Sequence, residues 1–416
     1  MTGHQGLPRL LAGIPPDGTA MTLAAHEQVH GPLPRLSASE IIERAERSGL
    51  RGRGGADFST ARKLRAVAQR EHASAVVVNG SETEPASRKD RLLLSRLPHL
   101  VLDGAVVAAG AVGANEVIVK VADARHEVIA ALDAAIALRA DGRVRFSLAT
   151  GPEGYVTGEE SAVINWLNGG QAKPVFVPPR PYERGYRRRP TLILNPETLA
   201  QLGLIARFGA DWFRGLGTAA DPGSALVTIT GAVRAPGVYE LAFGTSMEDL
   251  IAAAGGSAEP LRALLVGGYF GTWVDAAPAL ALRLAREDLR TVGCTLGSGV
   301  LIALGESSCG LHESARVMDW LADESAGQCG PCLHGLRAIA DALGLLADGS
   351  AARDDRDRVL RWAAEVRGRG ACHHPDGAAR FVESVVDVFS DEIAAHRNQV
   401  CRARAAGLPL RHAVRA

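Results

Sequence analysis

Hydrophobic and polar positions change their period along the chain, and each change marks a different element type. Up to about Ser37 the residues are broken by Pro and Gly and show no period. That reads as an extended segment, residues 1–38, laid over a neighbouring surface. Ser39, Glu40, Ile41 and Ile42 then open a short helix that Gly49 stops. The run 75–79 is apolar throughout and ends on Asn79, the pattern of a buried parallel strand at its carboxyl end. A helix over 98–112, a strand over 116–121, a helix over 127–138 and a strand over 144–149 continue the alternation, with a further strand at 191–194. Strand–helix–strand order predicts a parallel, Rossmann-like α/β domain over 39–216, with ligands at the strand carboxyl ends.

After Gly217 the pattern shortens. Residues 226–231 form a β segment, Arg234-Ala235-Pro236-Gly237 turns the chain, 238–241 returns, and a small helix over 245–254 ends at Gly255-Gly256. This predicts a compact β-grasp module over 222–305. Further on, Leu336, Ile339, Leu343 and Leu346 take helical spacing, so 306–416 reads as a helical bundle. There is no internal repeat.

Composition narrows the function classes. The 46 basic and 46 acidic side chains cancel, which argues against a nucleic-acid or anionic-membrane partner. The longest apolar stretch, near 100–112, is interrupted by Asp103 and glycines and reads as a buried helix rather than a membrane span. Gly3, His4, Gln5 and Pro8 stand where a secretory leader needs a basic start and an apolar block, so a cytoplasmic location is expected. There the six cysteines seldom form disulfides. Cys329 and Cys332 make a Cys-x-x-Cys, which asks for a metal or redox reading, while Cys294, Cys309, Cys372 and Cys401 are isolated.

Four segments carry candidate chemistry. Arg51-Gly52-Arg53-Gly54-Gly55 lets backbone approach a phosphate, with Arg51, Arg53 and Lys63 available to neutralise it. Asn79-Gly80-Ser81-Glu82-Thr83-Glu84-Pro85 follows the first core strand, where an α/β sheet presents ligand contacts. Gly154-Tyr155-Val156-Thr157-Gly158-Glu159-Glu160 combines glycine, an aromatic and paired carboxylates, and Asn195-Pro196-Glu197-Thr198 follows another apolar strand.

In order and spacing these segments resemble the signatures of the 51 kDa flavin subunit of respiratory complex I, a family shared with related hydrogenases and formate dehydrogenases. The resemblance runs from about Ser48 to Phe389. It implies an FMN-dependent NAD(P)H dehydrogenase subunit with an SLBB-type β-grasp module and an iron–sulfur region. Gly52, Gly54, Gly55 and Lys63 match positions that cradle the FMN phosphate and ribityl chain, and Asn79, Tyr155, Gly158, Asn195 and Thr198 match further FMN contacts. Phe58, Glu82, Glu84, Glu159 and Glu160 match positions near bound dinucleotide. No residue is expected to act as a catalytic acid or base, because the cofactor carries the chemistry. The implied partner is an electron acceptor such as a ferredoxin or another oxidoreductase subunit.

The chain also departs from that pattern. Asp57 replaces a glycine, Ser59 a proline, Leu64 a tryptophan and Ser81 an aspartate. Asp57 would repel a phosphate unless Arg51, Arg53 or Lys63 compensates. In the cluster loop Ala326 stands where the first of three cysteines belongs, as in a variant group of the family, which leaves Cys329, Cys332 and the distant Cys372 as metal ligands. The resemblance leaves several outcomes open: a three-iron cluster, a four-iron cluster completed by Cys309, His373, His374 or His334, a Zn²⁺ site, or no metal. Cys401 reads as an exposed thiol in a basic tail, and His373-His374 as a hydrogen-bonded loop pair. The substitutions also admit a second function, a non-catalytic assembly subunit that keeps the fold without electron transfer.

Overall fold

The computed structural model describes residues 6–70, 74–139, 141–352, 354–401 and 407–410. The first of its two sheets holds the parallel strands β1 (Ala75–Gly80), β2 (Glu116–Ala122), β3 (Arg145–Gly151) and β4 (Thr191–Leu194), in the order β3-β2-β1-β4. The continuous apolar runs follow from burial on both faces. Val76, Val78, Val117, Val119 and Val121 join the larger core, whereas Ala75, Val77 and Ile118 join a smaller one with Val163, Ile164 and Ile193. The helices Pro98–Val112 and Pro196–Phe208 pack together within the larger core. They approach so closely that a Cβ on Gly104 would stand 1.8 Å from the Leu199 carbonyl oxygen.

Strand order reverses between β1 and β4, since the chain leaves β1 towards β2 and later returns to β1's other side. At such a switch point the loops after neighbouring strands part and leave a crevice at the strand carboxyl ends. Asn79 lies near the end of β1, and Asn195 directly follows β4, so both border that crevice.

The second sheet is mixed. Its strands β5 (Ser224–Gly231), β6 (Gly237–Ala242), β7 (Leu261–Val266), β8 (Thr272–Asp275) and β9 (Val300–Gly305) run in the order β6-β5-β9-β7-β8. Only β5 and β9 pair in parallel, the arrangement of a β-grasp. One face packs Val227, Leu264 and Leu301 on the helix Met247–Ala253. From the other, Leu265, Trp273 and Ile302 enter the core of the carboxyl-terminal helices, with Leu311, Leu343, Val382 and Phe389. Those helices are Gly310–Asp323, Arg337–Ala347, Asp355–Val366, His374–Val388 and Ser390–His396.

The amino-terminal segment differs from expectation. It contains the helix Leu23–His30, capped by Thr22, whose hydroxyl accepts the Ala25 N–H at 3.2 Å. Its buried face carries histidines rather than an apolar stripe, and His26 Nε2 lies 2.6 Å from Asp103 Oδ2. A helix held by a buried polar contact leaves no hydrophobic period to read. Among the described residues no single helix is long and apolar enough to cross a membrane.

Candidate functional site

The glycine-rich loop is pinned to the start of the helix Pro196–Phe208. Gly52 N–H donates to the Phe58 carbonyl at 2.8 Å, closing the loop on itself. Arg53 N–H donates to Thr198 Oγ1 at 2.8 Å, and a Cβ on Gly54 would stand 3.2 Å from that of Asn195. Asn195 caps the helix through Oδ1, which accepts the Glu197 N–H at 2.9 Å, and its Nδ2 donates to Asp90 at 2.6 Å. Gly55 has φ +103°, a left-handed value that a side chain would strain.

Buried charges brace the loop from below. Lys89 Nζ donates to the Arg53 carbonyl at 3.0 Å, to Asp90 at 3.0 Å and to Glu197 at 2.8 Å. Burial alone would depress this ammonium, but Asp90 and Glu197 outweigh it and keep the group charged. Arg53, a candidate phosphate partner in the sequence, serves as a brace. It is buried, lies 3.7 Å from Glu197, and its guanidinium sits 4.7 Å over the Phe243 ring after β6. The repulsion expected from Asp57 is answered by Arg51, whose Nε lies 2.9 Å from the carboxylate. A cavity of about 290 Å³ opens between this loop and the second sheet, lined by residues that include Arg51, Asp57, Asp221 and Arg286. Neither Asn79 nor Tyr155 lines it.

On the crevice side the other three segments converge. Asn79 Nδ2 donates to the Gly158 carbonyl at 2.8 Å, and a Cβ on Gly158 would stand 3.1 Å from Thr83 Cγ2. Lys63 pairs with Glu160, joining a residue expected at the flavin to one expected at the dinucleotide. Glu84 Oε2 accepts the Tyr155 hydroxyl at 3.1 Å and the Tyr269 N–H at 3.0 Å, while its buried Oε1 has no partner. Burial raises this carboxyl from its ordinary 4.5 to about 7, against those hydrogen bonds. Phe58 lies at the rim, 42% exposed, with the Arg62 guanidinium 5.3 Å from its ring centroid.

Two of the expected dinucleotide contacts are engaged in holding the walls. Glu82 accepts the Ser87 hydroxyl at 2.8 Å and the N–H groups of Asp90 and Arg91 at 2.8 and 2.9 Å, which satisfies the start of the helix Lys89–Arg96. Glu159 caps the helix Glu160–Leu167 by accepting the Ser161 and Ala162 N–H groups at 2.8 and 3.1 Å. Lys120 is a site residue that the motifs do not reveal. It pairs in register with Asn79, is fully buried and donates to Ser81 Oγ at 3.0 Å; burial lowers it to about 8. Its one signal in the sequence is a single lysine inside the apolar run 117–122.

Cys329, Cys332 and Cys372 are brought together at the start of a π-helical turn, Pro331–Leu336. Such turns occur often at functional sites. Burial and the neighbouring thiols of Cys329 and Cys372 push the Cys332 thiol up. Cys329 is held below its ordinary value: burial would raise it, but the Ala371 and Cys332 N–H groups outweigh that. Tyr155 connects this group to the crevice. Its N–H donates to Glu324 at 2.9 Å, and its ring meets those of Trp320 and His374 edge-on at 5.0 and 5.7 Å.

Of the candidates for a fourth ligand, His334 lies within that π-helical turn, and the other three separate clearly. Cys309 lies elsewhere, 3.1 Å from Glu392 and 3.5 Å from His396. His373 is exposed and pairs with Asp376 at 3.0 Å, so the two adjacent histidines bond to other groups rather than to each other. His374 is buried with Nε2 2.7 Å from the Leu321 carbonyl and with Nδ1 unpartnered. Cys401 is exposed as expected, but it stands 3.6 Å from His312 Nδ1 rather than alone.

Comparison with known proteins agrees with this layout. Residues 45–203 match the Nuo51 FMN-binding domain, 226–268 the SLBB domain, and 312–396 the NADH-ubiquinone oxidoreductase-F iron-sulfur binding region. The second F-type subunit of the NADH-quinone oxidoreductase of Rhizobium meliloti (strain 1021) is 30% identical over 380 residues, covering 88% of this chain and 90% of the relative. The F-type subunit of the NADH-quinone oxidoreductase of Mycobacterium tuberculosis (strain ATCC 25618 / H37Rv) is 32% identical over 380 residues, covering 87% and 85%. A crystal structure of NAD+-reducing NiFe-hydrogenase in the air-oxidized state superposes with a TM-score of 0.82 at 32% identity, over 86% of this chain and 63% of the hydrogenase chain. This chain belongs to the family of 51 kDa, F-type flavin subunits of NADH-quinone oxidoreductases, flavoprotein oxidoreductases of the NADH dehydrogenase type with an FMN-binding and an iron–sulfur region.

Proposed function

We propose that this subunit oxidises NAD(P)H at FMN held in the β1/β4 crevice and hands electrons singly to a partner oxidoreductase subunit or a ferredoxin. The observation that carries the reading is convergence. Segments 79 to 145 residues apart meet at the switch point, and Tyr155 links them to a group of three thiols.

The residues fit the cofactors. Gly52, Gly54 and Gly55 leave loop backbone uncovered by side chains, and Lys63 stands at its end, a combination suited to a phosphate. Asn79, Tyr155, Gly158, Asn195 and Thr198 border the same crevice. Buried Lys120 has three donors and one hydrogen bond to Ser81, and buried Glu84 has a bare oxygen; both suit a polar ligand. When bound, FMN accepts hydride and releases single electrons, and an iron–sulfur cluster conducts them. The chain's own part is to orient and to exclude water. We assign dinucleotide contacts to Phe58, Glu84 and Glu160, with Glu82 and Glu159 fixing the walls around them.

Cys329, Cys332 and Cys372 would hold the cluster, since thiolates are the ligands such clusters take. With Ala326 in the first ligand place, three thiolates suit a three-iron cluster, or a four-iron cluster completed by another donor. Among those candidates, His374 offers a buried Nδ1 without a partner. The division at 1–38, 39–216, 222–305 and 306–416 belongs to the same reading and rests on the two separate sheets.

Anaerobic purification of the full chain tests it, by flavin, iron and sulfide content and by NADH against NADPH oxidation with an artificial one-electron acceptor. About one flavin and three to four irons per chain are expected. A chain that takes up no FMN on reconstitution would overturn the reading in favour of an assembly subunit.

A further inference from the structure

Four metal-binding side chains outside the cluster loop come together at the far end of the helical region. Cys309 precedes the helix Gly310–Asp323, His312 lies in that helix's first turn, His396 ends the helix Ser390–His396, and Cys401 follows five residues later. Their donor atoms all lie within 4.8 Å of one another. We propose that Cys309, His312, His396 and Cys401 form a second, structural metal site that binds Zn²⁺ tetrahedrally and clips the segment after the helix Ser390–His396 to the helical bundle.

The distances suit that ion. Zinc bonds of about 2.3 Å to sulfur and about 2.0–2.1 Å to nitrogen at tetrahedral angles put neighbouring S and N donors about 3.6 Å apart. Cys309 Sγ to His396 Nε2 is 3.5 Å, and Cys401 Sγ to His312 Nδ1 is 3.6 Å. Two edges of the tetrahedron are therefore already at the required length. The spacing Cys-x₂-His and His-x₄-Cys falls within the short intervals that place two ligands on one turn or one loop.

Both imidazoles are oriented from behind. His396 Nδ1 is hydrogen-bonded with the Ala347 carbonyl, which directs Nε2 at Cys309. His312 Nε2 faces Asp348 Oδ1 at 3.9 Å, which leaves Nδ1 for the metal. A carbonyl or carboxylate behind a ligating histidine is the usual support of a zinc site. Ala347 and Asp348 lie together at the end of the helix Arg337–Ala347, so one loop orients both rings.

Burial of Cys309 and His396 gives the site a dry inner side, and exposed Cys401 gives the ion an entry path. Zinc replaces two thiol protons, which leave to solvent, and the resulting two thiolates, two neutral imidazoles and Zn²⁺ sum to zero charge. That balance matters beside Glu392, whose Oε2 now accepts from the Cys309 thiol at 3.1 Å and the Leu311 N–H at 2.9 Å. With four protein ligands the position is closed, which fits a structural role and not a catalytic one.

The test is zinc content and zinc-edge X-ray absorption of the full chain, purified with thiols reduced and supplied with zinc. The expected result is about one zinc per chain in an S₂N₂ shell, with bonds of about 2.3 and 2.0 Å. Cys401→Ser, at an exposed position outside the packed core, should lose that zinc while keeping flavin and iron, and Cys372→Ser should lose iron while keeping zinc. Asp348→Asn should weaken zinc about 10- to 100-fold in competition with a chelator. Failure to bind zinc, zinc retained by both Cys401→Ser and Cys309→Ser, or a Cys309–Cys401 disulfide in the native protein would overturn the proposal.

Discussion

The crevice at the end of the first sheet and the cysteine loop at the edge of the helical region hold their shape by different means. Under the crevice lies a network of buried charges: Lys89 with Asp90 and Glu197, and Arg53 against Glu197 and Phe243. The cysteine loop rests on aromatic packing around Tyr155, Trp320 and His374. Its thiols are acted on chiefly by burial, backbone N–H groups, one another and carboxylates. Lys89 finds partners for all three of its donors within the protein, so it holds the loop without a ligand. Neighbouring thiols gain a much stronger partner when a metal arrives. The flavin side should therefore respond to substitution through stability, and the cysteine side through metal content.

The largest effect is expected at Lys89. Lys89→Met leaves Asp90 buried without a cation and Glu197 with Arg53 alone, which should cost about 3–5 kcal/mol in denaturant unfolding and take flavin retention with it. A loss below about 1 kcal/mol would mean the network is not what braces the loop. Gly54→Val should be more selective. The new side chain meets Asn195, so flavin stoichiometry should fall towards zero while unfolding changes little beyond the strain of that one contact. Unchanged flavin would move the phosphate site away from the loop.

Glu84 sharpens the comparison through pH. Its carboxyl holds a proton more tightly folded than unfolded, from an ordinary 4.5 to about 7. The associated stability is complete below pH 4.5 and is lost as pH rises through 7, a change of roughly 3 kcal/mol. Glu84→Gln should flatten that slope, and it should raise KM for NAD(P)H with the flavin spectrum intact. A parallel loss of FMN would instead make Glu84 a flavin ligand. On the cysteine side, Cys372→Ser should remove most iron with a small change in flavin. Ala326→Cys should bring iron to about four atoms per chain. If neither substitution alters iron, the thiols are a structural pair and the contrast between the two regions fails.

The elements legible in the sequence are those whose signal is local. The runs at 75–79 and 191–194 announce buried parallel strands, and Asn79 and Asn195 at their ends mark where a ligand would sit. The glycine loop, the Tyr155 segment and the Cys-x-x-Cys are visible because each is contiguous. Arg53 misleads because an arginine beside glycines looks alike whether it meets a phosphate or a buried glutamate a hundred and forty-four residues away. The helix Leu23–His30 leaves no mark because it is held by His26 against Asp103, a contact between distant residues with no periodic trace.

The cysteines show the same division. Cys329 and Cys332 are three residues apart and declare themselves, whereas Cys309 and Cys401 are ninety-two apart and read as isolated thiols. By itself the sequence determined the alternation of strands and helices, the order of the three folded regions and the loops that meet at the crevice, because backbone propensity and hydrophobic period act over a few residues. Tertiary structure alone decided which charges are buried in pairs, which carboxylates cap helices, and that Cys309, His312, His396 and Cys401 stand within 4.8 Å of one another. Those outcomes depend on which distant segments share a core, and no local pattern records that.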